Sequence, residues 1–166
     1  MSLPHWRPAY VGLGSNLESP TEQVERGIAA LDELPQSGVY LRSALFRSAP
    51  MGPTEQPDFI NAVVALLTRL SAQELLSKMQ AIELMQGRER SLQKWGPRTL
   101  DLDLLAFSDL TLAESVLTLP HPGIAERNFV LLPWREIAPC FKVPGLSTVD
   151  FLASRVADEP RIEKII

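Results

Sequence analysis

Two aspartates one residue apart, Asp101 and Asp103 in the run KWGPRTLDLDLL (94–105), are the residues whose types and spacing most plainly suggest chemistry. Residues two apart on a strand share a face, so both carboxylates point one way and Leu100, Leu102 and Leu104 the other. Their Cβ atoms then lie about 6 to 7 Å apart, which lets one divalent cation sit between the carboxylates or two be bridged by them. So few oxygen donors suit magnesium, which keeps part of its water shell and binds through carboxylates plus substrate phosphates. A bare D-x-D is more often a solvated acidic edge, and the residues upstream shift the balance. Arg88, Arg90, Lys94 and Arg98 crowd a loop hinged by Gly87 and Gly96. Guanidinium groups grip phosphate oxygens in pairs and magnesium bridges them, the two devices that phosphoryl-transfer sites share. The pattern points to a magnesium-dependent enzyme acting on a nucleoside triphosphate.

Three aromatic residues are candidates for holding a flat ligand. Trp95, in the middle of the polar loop, either pins that loop or closes over a ligand. Phe59 and Asn61 share a strand face and set a stacking surface beside an amide that both donates and accepts, although core packing explains Phe59 equally well. Phe129, in HPGIAERNFVLLP, reads the same way, and His121 in that run is a structural or solvent-facing histidine by default. The nucleotide must be held without the usual loops. GLGSN (12–16) lacks the third glycine of a dinucleotide fingerprint, and no Walker A loop occurs, so Gly12 and Gly14 are as well explained by a turn after a strand.

The elements that must position these groups follow from periodicity. Ala9–Leu13 reads as a buried strand, and Ser19, Pro20 and Glu22 open a helix with a capping box and a stripe of Val24, Ile28, Leu31 and Leu34, stopped by Pro35 and Gly38. Val39–Phe46 reads as one strand with Val39, Leu41, Ser43 and Leu45 on one face, and a Pro/Gly-rich loop leads to a third strand, Phe59–Leu67. Ser71 and Glu74 box the start of a second helix whose apolar side is Leu75, Leu76, Met79, Ile82 and Leu84, running to Met85. Thr99–Phe107 is the fourth strand. This order, βαββαβ, predicts an α+β, ferredoxin-like sandwich. Additional C-terminal elements follow: a strand near Val116–Leu119, a helix around Phe129–Ile137, and a last helix capped at Ser147 or Thr148.

With 166 residues, 45% hydrophobic and 22% charged, the chain has the composition of one folded domain. A lone cysteine, Cys140, forms no internal disulfide, and His5 and His121 beside it make no zinc cluster. No apolar run nears the roughly 20 residues that span a bilayer, and the start lacks a signal-peptide core. The net charge of −4 disfavours a nucleic-acid partner. A cytoplasmic monomer taking small-molecule substrates, with neither nucleic acid nor membrane as partner, is the expectation.

KWGPRTLDLDLL closely resembles the signature of the 6-hydroxymethyl-7,8-dihydropterin pyrophosphokinases of folate biosynthesis. The resemblance extends through GLGSNLESP, FRSAPMGPTEQPDFINAVVAL, IELMQGRER and LPHPGIAERNFVLLP, nearly the whole chain. It implies a ferredoxin-like fold and transfer of the pyrophosphoryl group of ATP to the pterin hydroxymethyl, with release of AMP. It implies that Asp101 and Asp103 hold two magnesium ions and that Arg88 and Arg98 neutralise phosphate charge. Gln80, Glu83, Arg90, Leu117, Thr118, His121 and Arg127 match ATP-contacting positions. The pterin would lie between Phe59 and Phe129, with Asn61 at its polar edge, Gly14 and the stretch Ser48, Ala49 and Met51 lining the rest, and Trp95 as a lid. Phe59, Ser91, Val116 and Pro122 depart from the tyrosine, lysine, arginine and tyrosine of enterobacterial members. A non-catalytic ligand-binding module of the same fold is the rival, and it would need neither paired aspartates nor the arginine-rich loop.

Overall fold

The computed structural model describes residues 5–50, 55–87 and 99–165. Among these residues eight strands and four α-helices follow in the order β1 (Arg7–Ser15), α1 (Pro20–Asp32), β2 (Ser37–Arg42), β3 (Phe46–Ser48), β4 (Phe59–Thr68), α2 (Ala72–Met85), β5 (Asp101–Phe107), β6 (Leu112–Ala113), β7 (Thr118–Leu119), α3 (Asn128–Ile137), α4 (Val149–Arg155) and β8 (Ile162–Lys164). A six-stranded antiparallel sheet runs β5-β1-β4-β3-β8, with β2 pairing β4 beside β3. β6 and β7 form a separate hairpin.

Alternation along the strands gives each sheet face its own core. Ala9, Val11 and Leu13 of β1, Ile60, Ala62, Val64 and Leu66 of β4, and Leu102 and Leu104 of β5 face α1 and α2. Those helices answer with Val24, Ile28, Leu31, Leu75, Met79 and Ile82. Tyr10 of β1, Val63 and Ala65 of β4, and Leu105 and Ala106 of β5 face the other way, where Val130, Leu131 and Trp134 of α3 and Val149 and Ala153 of α4 cover them. An aromatic cluster fills this second layer, with the Tyr10 ring 5.3 Å from Trp134 and 4.7 Å from Phe141. Burial of the Tyr10 hydroxyl, reinforced by Tyr40, pushes its pKa up to about 12.

Helix starts divide into two kept expectations and one lost. Ser71 caps α2, accepting from the Glu74 N–H while Glu74 accepts from the Ser71 N–H, so the capping box forms. Ser19 does not cap α1: its φ of 63° is left-handed, and the side chain makes no capping bond. Instead the turn places Glu18 and Ser19 both at positive φ, and the Gln23 side chain donates to the Glu18 carbonyl. Thr148 caps α4, accepting from the Phe151 N–H at 3.2 Å. Leu84, expected on the apolar side of α2, is exposed near its end, as is the last residue, Met85.

The run expected as one strand over 39–46 is two. Its register against β4 shifts between Val39 and Leu41, which pair with Leu66 and Ala65, residues on opposite faces of the sheet. A bulge of this kind turns Leu41 away from the face Val39 occupies, and Leu41 is exposed. Ser43 bridges the gap, donating its N–H to the Val63 carbonyl at 2.9 Å and accepting the Val63 N–H on its hydroxyl at 3.0 Å.

Candidate functional site

Strand pairing assembles the candidate residues into rows. Asp101 pairs with Gly14, Gly14 with Asn61, and Asn61 with Phe46, giving one row across β5, β1, β4 and β3. The next row sets Asp103 against Gly12 and Gly12 against Val63, and at the other margin Phe59 pairs with Ser48. Directly paired residues share a face, so Asp101, Asp103, Asn61, Phe59 and Ser48 look out on the side that α3 and α4 cover further along. The glycines therefore lie within β1, which runs on to Ser15, and do not turn the chain after it. A Cβ at Gly14 would meet the Asn61 Oδ1 at 3.4 Å and the Phe59 Cδ1 at 3.9 Å, so side chains on β1 would fill the floor between the aspartates and the aromatic.

Asn61 is buried, and its amide nitrogen donates to the Ser48 hydroxyl at 2.8 Å, leaving the carbonyl oxygen over Gly14. Ala49 follows at the end of β3 and donates its N–H to the Arg161 carbonyl. Phe59 is half-buried at the start of β4. Asn16, just past β1 and fully enclosed, donates to the Gln56 side chain at 2.9 Å and the Pro57 carbonyl at 3.0 Å, tying the segment before Phe59 to the glycine strand. The sequence reading passed over Asn16, although an asparagine directly after GLGS is a signal for such a tether.

The aspartates are partly exposed on β5. Glu83, at the end of α2, is 5% exposed and accepts the Leu102 N–H at 2.9 Å, fixing the outer edge of β5 between them. Gln80, one turn earlier, is exposed. Arg127 Nη1 lies 3.8 Å from Asp103 Oδ2, and His121 Nε2 lies 3.7 Å from Asp103 Oδ1, beyond hydrogen-bond range. Burial, and then the Arg127 guanidinium, hold the His121 imidazole down at about 4 while Asp101 pulls the other way, so the ring is neutral near pH 7. Its backbone N–H donates to the Leu105 carbonyl, and its Nδ1 is buried without a hydrogen-bond partner in the structure. Gly123 is a second residue that sequence reasoning missed. A Cβ there would sit 2.9 Å from Arg127 Nε, so the glycine lets that side chain lie against the loop and reach Asp103.

Thr118 is exposed on β7, whereas the Leu117 side chain is buried in the first core. Phe129, on the first turn of α3, is half-buried against the second core. Arg88, Arg90, Met51, Trp95 and Arg98 lie outside the described residues.

The carboxylate pair fits magnesium by its chemistry. Among the described residues no group of three or more His, Cys, Asp or Glu gathers to hold a metal ion. Two part-exposed carboxylates over a floor without side chains leave the remaining positions to water and phosphate oxygens, the coordination magnesium prefers.

The chain is similar to known proteins over most of its length. Residues 10–139 match the family model described as 7,8-dihydro-6-hydroxymethylpterin-pyrophosphokinase. The chain is 39% identical over 155 residues to the 2-amino-4-hydroxy-6-hydroxymethyldihydropteridine pyrophosphokinase of Haemophilus influenzae, an alignment covering 93% of this chain and 96% of that one. It is 47% identical over 135 residues to the protein of the same name from Pseudomonas aeruginosa, covering 81% and 83%. Its fold is similar to the crystal structure of Plasmodium falciparum HPPK-DHPS with pteroate, with a TM-score of 0.71 and 14% identity over 93% of this chain. This chain spans 43% of that longer solved chain.

Proposed function

The chain belongs to the 7,8-dihydro-6-hydroxymethylpterin-pyrophosphokinase family, and from that premise we propose how its residues divide the work. It is a 2-amino-4-hydroxy-6-hydroxymethyldihydropteridine pyrophosphokinase, an enzyme of folate biosynthesis with ATP as co-substrate. In the reaction the pterin hydroxymethyl oxygen bonds to the β-phosphorus of ATP and gives up its proton to the medium. The bridge between α- and β-phosphorus breaks, and AMP leaves with the bridging oxygen. We read the strand order as a ferredoxin-like βαββαβ core with C-terminal additions.

The row Asp101–Gly14–Asn61, with Phe59 beside it, is the observation that carries the reading. It sets a carboxylate pair and a stacking surface at two ends of one open floor, the separation needed for a triphosphate at one end and a heterocycle at the other. Asp101 and Asp103 would hold two magnesium ions, which would offset phosphate charge. Arg88 and Arg98 face the same phosphates. Arg90, Gln80, Glu83, the Leu117–Thr118 backbone, His121 and Arg127 hold ATP. A neutral His121 offers a hydrogen bond there rather than a charge, and Arg127 supplies the charge. The pterin stacks between Phe59 and Phe129, its polar edge met by Asn61 and its rim by Gly14, Ser48, Ala49 and Met51, while Trp95 closes over it. Positioning two reactants in line accounts for most of the work in such a transfer.

The test is AMP formation from ATP in magnesium buffer with and without the pterin. AMP is expected only when pterin and magnesium are both present, in a one-to-one ratio with the pyrophosphorylated pterin. Equal AMP release without pterin would make the chain a nucleotide hydrolase instead.

A further inference from the structure

No residue of the C-terminal strand is itself assigned to substrate, yet the strand and the residues leading into it are bonded to both supports of the proposed pterin slot. β8 pairs antiparallel with β3, matching Ile162 to Ser48 and Lys164 to Phe46. The Ala49 N–H donates to the Arg161 carbonyl at 3.0 Å, and the Ile165 N–H donates to the Leu45 carbonyl at 2.9 Å. On the other side, Asn128 of α3 donates its amide to the Pro160 carbonyl at 2.7 Å. Asn128 is 1% exposed and sits between Arg127 and Phe129. A second tie joins the far end of α3 to the same tail, since Lys164 Nζ lies 2.7 Å from Glu136 Oε2 and Glu136 also accepts the Ala44 N–H.

We infer that Asn128 is a positioning residue for the pterin, acting through residues 160–164, which strap the helix carrying Phe129 to the strand carrying Ser48 and Ala49. Ser48 in turn holds the Asn61 amide at 2.8 Å, so one bonded path runs from Phe129's neighbour to the polar edge of the slot. A buried amide bonded to one carbonyl fixes a distance that apolar packing alone leaves adjustable. The Asn128 side chain makes its bond away from α3, leaving its own oxygen buried without a partner. Loss of the bond lets Phe129 and β3 shift relative to each other. The slot then widens on one wall while the carboxylate pair on β5 keeps its place.

This inference rests on the pterin lying between Phe59 and Phe129, and the experiment separates the two claims. Asn128→Asp keeps the shape and removes the donor. Lys164→Ala loosens the same strap at an exposed end and serves if the buried variant fails to fold. Pterin is titrated calorimetrically into each folded variant in the presence of a non-reactive ATP analogue, and the analogue is titrated alone. Asn128→Asp is expected to weaken pterin binding about tenfold, the loss of one buried hydrogen bond. Lys164→Ala is expected to weaken it about twofold, since an exposed ion pair contributes little. Analogue affinity should stay within about twofold, and turnover at saturating pterin should fall less than the Michaelis constant for pterin rises. The Ala49 amide, bonded to the tail, should exchange its hydrogen faster in Asn128→Asp, which a role confined to α3 would not produce. Unchanged pterin affinity in folded Asn128→Asp, or equal weakening of both ligands, overturns the strap. If Phe59→Leu also leaves pterin affinity unchanged, the slot itself is misplaced, whereas a loss in Phe59→Leu alone refutes only the strap.

Discussion

The two faces of the sheet are built from the same strands, residue by alternate residue, and they end in opposite conditions. Against α1 and α2, β1, β4 and β5 present Ala9, Val11, Leu13, Ile60, Ala62, Val64, Leu66, Leu102 and Leu104, all buried. On the opposite face the same strands carry Tyr10, Val63, Ala65, Leu105 and Ala106 under α3 and α4, and then change character to Gly12, Gly14, Asn61, Asp101 and Asp103. The period of two lets one strand serve both purposes, with Leu102 and Leu104 holding β5 in the core while Asp101 and Asp103 stand clear of it. Rigidity on one face is thus what fixes carboxylate positions on the other, as a preorganised site requires.

That contrast is broken most sharply by removing one carboxylate. Asp101→Ala or Asp103→Ala is expected to lower turnover at least about 100-fold, the loss of several kcal/mol of charge stabilisation. The melting temperature should change little, because both side chains are partly exposed and like-charge repulsion is relieved. Near-normal turnover at saturating magnesium would remove these residues from the metal site. Leu75→Ala, on the closed face, should show the reverse. Leu75 is fully buried, and truncation there costs about 2 to 5 kcal/mol in stability. Denaturant unfolding measures that loss, and kcat/KM of the protein still folded should stay within about threefold, because the cavity lies on the other face of the sheet.

Much of this contrast was legible in the sequence, because alternation and capping are local signals. The D-x-D pair, the Phe59–Asn61 pair and the Ser71–Glu74 box all followed from spacing alone. Of three failures, the first lies in the geometry of one turn and the other two in non-local strand pairing. Ser19 is a good capping type, but the turn fixed by Glu18 and Gln23 puts it at positive φ, where it cannot cap. The bulge at Tyr40 depends on how β2 meets β4, and a run of apolar residues at even spacing carries no mark of it. β8 is three residues, Ile162–Lys164, two of them exposed, and exists only because β3 offers an edge. Within the site, Asn16 and Gly123 were missed because each acts on a neighbour's position and carries none of the reacting chemistry itself.

A smaller effect is expected at the glycine floor, where the two faces meet most closely. Gly14→Val suits a strand and needs no unusual backbone angle. The added side chain would nevertheless crowd Asn61 Oδ1 and Phe59. Pterin affinity should fall about tenfold, in line with the 1 to 3 kcal/mol typical of overpacking, with a smaller melting shift than Leu75→Ala gives. Titration of pterin and a thermal melt on the same sample check both. A fall in nucleotide affinity of equal size would place the floor under the triphosphate instead.

The smallest differences lie within the proposed pterin slot, and they decide whether stacking or the polar edge holds the ligand. Removing one aromatic wall by Phe59→Leu forfeits roughly 0.5 to 1.5 kcal/mol beyond burial, and the leucine keeps part of the contact. Asn61→Ala strips away a buried amide that lies over Gly14 and is tied to Ser48 by 2.8 Å, so both the ligand's edge and the Ser48 hydroxyl lose a partner. Such a loss costs roughly 1 to 3 kcal/mol. Asn61→Ala should therefore weaken pterin binding at least as much as Phe59→Leu, and neither should alter binding of the ATP analogue alone. Calorimetric titration of the analogue and then of pterin separates the two contributions. If Phe59→Leu proves the costlier, stacking dominates and the Asn61 amide serves chiefly to hold β3 against β4. If both variants weaken the analogue instead, the rows that join Asp101 to Asn61 hold the nucleotide along their whole length, and the division of the floor into two ends fails.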